Sequence, residues 1–186
     1  MNPLLALGGA LLLAASLPSS PARPLPPRSA PVDTTDVARV ETYDGTLVIT
    51  RLKRADAPAE FRVRVGDAVV YRDSAAQGVS LHTLTTWSRR RLALLEISSG
   101  GNGCPSAFRF VEFAEGKTPR VSAELGNCND LPVVLMDGAR LRVRFPSFYH
   151  TYQMRDPGFR RPPDATWEYL GDGRVRRLPA TAATRS

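Results

Sequence analysis

Short apolar–polar alternating runs, each closed by a turn-forming pair of residues, recur along most of this chain and constrain its fold more than any other feature. Val37–Tyr43 and Thr46–Leu52 flank Asp44-Gly45, a pair that tolerates the positive φ of a tight hairpin turn. Phe61–Val65 and Ala68–Arg72 flank Gly66-Asp67 in the same way, and Val79–Trp87 and Arg91–Ser98 flank Ser88-Arg89-Arg90. Ala107–Phe113 and Arg120–Leu125 surround a turn centred on Gly116. Val133–Met136 faces Ala139–Phe145 across Asp137-Gly138, and Thr166–Leu170 faces Arg174–Leu178 across Gly171-Asp172-Gly173. No helical period of 3.6 residues persists for about ten positions. The spacing therefore predicts a mostly β domain: a single antiparallel β-sandwich or closed meander of about ten short strands. A propeller is disfavoured, because the chain is too short for several four-stranded blades.

The alternation also predicts which faces are wet. In Phe61-Arg62-Val63-Arg64-Val65 and Leu141-Arg142-Val143-Arg144-Phe145 every second side chain is apolar and the others are arginine, so each strand should bury one face. The arginines are then expected in solvent, where they discourage edge pairing; an anion-binding strip is the functional alternative. Leu92–Leu95 and Val133–Leu135 are continuous apolar runs, as expected of strands covered on both sides.

Outside this region the composition changes. Met1–Ala22 carries no charged side chain and holds the apolar run Leu4–Ala15, too short to span a bilayer comfortably and followed by small residues. It reads as a secretory signal peptide, although its first residues lack the usual Lys or Arg. Residues 23–35 read as a proline-rich tether and residues 180–186 as a disordered tail, leaving 36–179 as one domain with enough chain for a real core. No second long apolar run follows, so no transmembrane span is expected in the mature chain, and the expected location is periplasmic or secreted. The net charge is +7, with lysine only at Lys53 and Lys117. That balance favours anionic partners at long range, but without a known basic–aromatic motif it does not predict nucleic-acid binding.

An oxidising compartment makes a Cys104–Cys128 disulfide the expected fate of the two cysteines. Both lie equally far from Gly116, so a symmetric hairpin would set them opposite each other, and the ring would contribute roughly 3 kcal/mol. Neither a metal site nor a catalytic thiol is expected, because no further Cys or His stands nearby and His82 and His150 have no evident role as base or ligand. The bond would bring Ser98–Pro105 beside Gly126–Asp130. Ser99, Asn102, Asn127, Asn129 and Asp130 are then candidate binding residues, although Gly, Asn and Asp also serve simply as turn formers.

A second candidate surface lies between Phe145 and Tyr169. It mixes Phe148, Tyr149, His150, Tyr152, Met154, Phe159 and Trp167 with Arg155, Arg160 and Arg161, and its prolines predict a long loop. Tyr149, His150, Tyr152, Arg160 and Trp167 are the candidate anchors there, since Tyr, Trp and Arg dominate interface energetics. The alternative is that the aromatics cover an open end of the core. There is no Gly-x-Ser-x-Gly elbow, no phosphate loop and no evident carboxylate pair, and no cofactor is expected.

The pattern Ser99-Gly100-Gly101-Asn102-Gly103-Cys104-Pro105, then Phe108, then Gly126-Asn127-Cys128-Asn129-Asp130, resembles a family of exported bacterial proteins of unassigned function. The resemblance covers roughly Leu92–Phe145 and implies the disulfide and an envelope location, with no reaction or ligand. The expected function is a non-catalytic or inhibitor-like binding domain whose partner is a protein or a cell-envelope polymer. The alternatives are an envelope-polymer hydrolase working through Asp130, and a structural envelope protein without a discrete site.

Overall fold

The computed structural model describes residues 32–101 and 103–180. The leader assigned to residues 1–22, the tether up to residue 31, Asn102 and residues 181–186 lie outside the described residues. Within them the hairpin turns lie within about a residue of where the sequence puts them, with Gly45, Arg90 and Gly171 pairing as strand residues rather than standing in their turns. Gly66 (φ 56°) and Gly138 (φ 57°) take the left-handed conformation their turns demand. The turn after Trp87 has no glycine: Ser88 (φ 47°) and Arg89 (φ 62°) both adopt positive φ, the geometry that matches the twist of two paired strands.

Three antiparallel meanders follow one another along the chain. β1 (Val32–Thr42), β2 (Gly45–Arg54), β3 (Ala57–Val65) and β4 (Ala68–Asp73) form the first sheet in chain order. β5 (Gly78–Trp87), β6 (Arg90–Ser98), β7 (Ser106–Phe113) and β8 (Arg120–Val121) form the second, with β9 (Leu125–Cys128) also paired to β7. β10 (Val133–Asp137), β11 (Arg140–Phe145), β12 (Ala165–Gly171) and β13 (Arg174–Arg177) form the third. Short polar side chains shape the crossings between sheets. Asp73 Oδ1 accepts from the backbone N–H groups of Ala75 and Ala76, both at 2.8 Å, and Asn129 Oδ1 accepts from that of Leu131 at 2.8 Å.

The second sheet is the middle of a three-layer stack. From its strands Ala93, Leu95, Ile97, Val111 and Phe113 pack against Leu47, Ile49, Phe61, Val63 and Val65 of the first sheet. Leu92, Leu94, Phe108, Phe110 and Leu125 pack the opposite way, against Leu141, Val143, Phe145, Ala165 and Tyr169 of the third. The run Leu92–Leu95 is therefore buried on both faces, with each of its leucine side chains removed from water and worth about 1.5–3 kcal/mol.

Three expectations need correction. Val133–Leu135 is not covered on both sides: β10 pairs only with β11, at the edge of an outer sheet, so Val133 is 38% and Leu135 41% exposed. The tether assigned to residues 23–35 ends sooner, because Val32–Thr35 already pair with Arg51–Arg54 as part of β1. The Gly116 hairpin is also not symmetric to its base. Val111 faces Val121 and Glu112 faces Arg120, but after Ser122–Glu124 the register slips until Ser106 faces Cys128.

Candidate functional site

That slip sets how the disulfide forms. Cys104 lies in the loop before β7 and curls back to Cys128, with Cα atoms 4.5 Å apart. Ser99 donates from its hydroxyl to the Cys104 carbonyl at 2.6 Å and from its N–H to the Pro105 carbonyl at 3.0 Å, so the loop closes on itself. Asn127 Oδ1 accepts from the Asn129 N–H at 3.2 Å, while its Nδ2 donates to the Pro146 carbonyl at 2.8 Å. The polar capacity of Ser99, Asn127 and Asn129 thus goes into shaping turns and tying the disulfide end to the loop after β11. Asp130 is exposed beside them. Trp167, on β12, lines a narrow groove of 210 Å³ with both cysteines and Asn127, and its buried Nε1 has no acceptor.

The loop joining β11 to β12, residues 146–164, is ordered by its own side chains. Phe148 meets His150 edge-on at 5.2 Å, His150 stacks on Tyr152 at 5.2 Å, and Tyr149 packs on Phe159 at 5.3 Å. A single 3₁₀ turn spans Thr151–Arg155, where Gln153 Oε1 accepts from the His150 N–H at 2.7 Å. Tyr152 and Met154 nonetheless stand 65% and 58% exposed. The aromatics therefore do two things: Phe148, Tyr149 and Phe159 are half-buried within the loop, and Tyr152 and Met154 face solvent. Arg160 is exposed and makes no hydrogen bond or ion pair among the described residues.

Its neighbour Arg161 is held. Its Nε donates to Ser147 Oγ at 2.6 Å and its guanidinium lies 5.8 Å from the centroid of the Tyr149 ring. Ser147 is buried and donates its backbone N–H to Asp164 Oδ1 at 2.9 Å. Arg161 and Arg144 line one cleft of 530 Å³ with Asp164, Thr166 and Pro162, Pro163 and Pro179. Neither arginine has an acidic partner among the described residues.

The cleft opens onto the outer face of the third sheet. Leu141, Val143 and Phe145 point inward, so Arg140, Arg142 and Arg144 share the outward face at intervals of about 7 Å. Across the sheet Arg142 stands opposite Glu168, which stands opposite Arg176. Glu168 is buried between them, 3.7 Å from Arg142 and hydrogen-bonded by Arg176. The Arg176 bond holds its carboxyl below the usual carboxylate range despite burial, and the charges of Arg142 and Arg140 add to this. Asp137 stands opposite Arg140, whereas Arg144 has only Val133 and Thr166 beside it. Between Val133 and Ala180 the chain carries nine arginines against five carboxylates, so the surface keeps an excess of positive charge. The strip is solvent-facing, as the alternation predicts, and it differs from the arginine alternation of β3 in standing beside Arg161 of the β11–β12 loop.

A third polar cluster joins the sheets. Glu112, 5% exposed, accepts hydrogen bonds from Arg90, from the Tyr169 hydroxyl and, at 2.9 Å, from the Asp172 N–H. Burial, then the bond to Glu112, keeps the Tyr169 phenol above its ordinary range, and the Arg90 bond keeps Asp172 below its own. Both carboxylate oxygens of Glu112 are used internally, which makes this cluster a latch between the second and third sheets. Among the described residues no three of His, Cys, Asp and Glu converge as a metal-binding group, and no helix is long and apolar enough to cross a membrane. No family model matches the chain, and neither the curated proteins nor the solved structures yield a match.

Proposed function

We propose that the protein is an exported, non-catalytic binding protein that captures a cell-envelope component at the end of the third sheet where the β11–β12 loop stands. The observation that carries this reading is an ordered loop that holds Tyr152 and Met154 in solvent while its other aromatics pack against one another. Ordering before binding lowers the entropy lost on association, and exposed aromatic or methionine side chains on such a base are the kind that anchor interfaces. Export to the periplasm or beyond is supported by the uncharged apolar leader and by the disulfide, a bond that persists in oxidising compartments.

The test is affinity capture from envelope extract by the mature protein and by its Tyr152→Ala, Met154→Ala double variant. The wild type should retain a component that the variant loses, at an unchanged melting temperature. Equal capture by both proteins would reject the loop as the binding surface.

A further inference from the structure

The arginine face and its cleft specify what such a partner should look like. Arg161 is positioned by a buried serine on its Nε and an aromatic ring on its flank, which leaves its terminal nitrogens for another group. A guanidinium fixed in this way presents a fork that suits a planar carboxylate or a phosphate. Arg144 shares the cleft and likewise lacks an acidic partner among the described residues. The remaining lining is not that of a simple anion trap. Asp164 keeps one carboxylate oxygen beyond its bond to Ser147, Thr166 offers a hydroxyl, and three prolines form apolar walls. A carboxylate and a hydroxyl suit sugar hydroxyls, and flat apolar walls suit the C–H face of a pyranose. Asp164 can only accept, so an occupant with hydroxyls beside its acid group satisfies it, whereas a polyphosphate chain has no such donors to offer. The volume of 530 Å³ falls within the roughly 300–1,000 Å³ of small-molecule sites. Beyond the cleft, Arg142 and Arg140 continue the row at intervals of about 7 Å and extend the positive charge along the path of an acidic chain.

Building on the reading of this protein as a binding module, we infer that its partner is an acidic polysaccharide lying across the outer face of the third sheet, with one sugar carboxylate held between Arg144 and Arg161. Arg140, Arg142 and Arg176 attract the rest of the chain, and Ser147 is a positioning residue for Arg161.

The test is calorimetric titration of the mature protein with polygalacturonate and digalacturonate, with dextran as the neutral polymer and polyphosphate as the phosphate polymer. The wild type should bind polygalacturonate more weakly as salt rises and should not bind dextran. Arg161→Gln and Arg144→Gln should each weaken digalacturonate binding by about tenfold or more. Arg161→Lys should fail to restore it, because the charge returns without the fork. Ser147→Ala should weaken it less, and Arg39→Gln, the same charge change on the first sheet, should leave it unchanged. Arg144 and Arg39 are exposed, so their variants should melt with the wild type, and Arg161→Gln, which gives up its bond to buried Ser147, should melt slightly lower and leave the fold intact. Equal binding of dextran, wild-type affinity in both glutamine variants, or tighter binding of polyphosphate than of polygalacturonate would overturn the inference. If polygalacturonate does not bind while capture through Tyr152 and Met154 persists, the sugar inference falls and the binding-protein reading stands. Loss of both removes both.

Discussion

Leu94→Ala and Leu95→Ala, made separately, test the three-layer architecture because these neighbours point in opposite directions. Leu94 lies in the core between the second and third sheets, Leu95 in the core between the first and second, and both are 0% exposed. In a two-layer sandwich one of two adjacent strand residues faces solvent, and its truncation changes stability by no more than about 0.5 kcal/mol. Here each substitution removes a fully enclosed side chain and leaves a cavity, at a cost of about 2–5 kcal/mol. A loss of about 3 kcal/mol in a chain of this size lowers the melting temperature by roughly 6–12 °C. Urea unfolding of the oxidised protein, followed by tryptophan fluorescence and by circular dichroism, measures both variants on one scale. Stability within about 0.5 kcal/mol of wild type for either variant would show that one face of β6 is open and would refute the stack.

Other consequences follow from the polar contacts. Glu112→Ala and Tyr169→Phe should each cost about 1.5–3 kcal/mol, because each breaks the charged hydrogen bond at the buried Tyr169 hydroxyl while Arg90 keeps Asp172 as a partner; losses below about 0.5 kcal/mol in both would show that the latch carries no energy. The Cys104→Ser, Cys128→Ser double variant should lose about 3 kcal/mol, read as a shift in the urea midpoint; no shift would mean that the loop is held by its hydrogen bonds alone. Tyr71, pushed up to about 12 by burial and its bond to Asp73, and Tyr169, also raised, should still be protonated above the ordinary phenol range in an alkaline absorbance titration. Both phenols bind their protons more tightly when folded. Their contribution is therefore complete below the unfolded value near 10 and is lost as pH rises through the folded values. Loss of both phenolic protons near 10, read by comparison with the Tyr71→Phe and Tyr169→Phe variants, would contradict this.

Much of the strand order was legible because turn chemistry is local. Asp44-Gly45, Gly66-Asp67 and Asp137-Gly138 mark their hairpins through a backbone conformation few other residues tolerate. Two-sided burial was legible only in part. Leu92–Leu95 and Val133–Leu135 look alike as strings, but whether a strand is covered depends on which layer it joins, and nothing within Val133–Leu135 records that β10 is an edge. The link between β2 and β3 was missed since Ala55-Asp56 lacks a glycine, and the slip at the base of the Gly116 hairpin leaves no trace in composition. At the candidate site the aromatic loop was visible through its prolines, but its anchor was not. The residues alone point to Arg160, whereas the bond that Arg161 donates to Ser147, and the one that Asn127 donates to Pro146, join residues far apart in the chain.

The most direct test of the functional account is to record backbone amide resonances of the mature protein during titration with polygalacturonate. Saturable shifts should cluster on Arg144, Ser147, Arg161 and Thr166 and spread along β11. Shifts confined to the disulfide loops around Ser99 and Asp130, or spectra that do not change, would place the partner elsewhere and contradict the account.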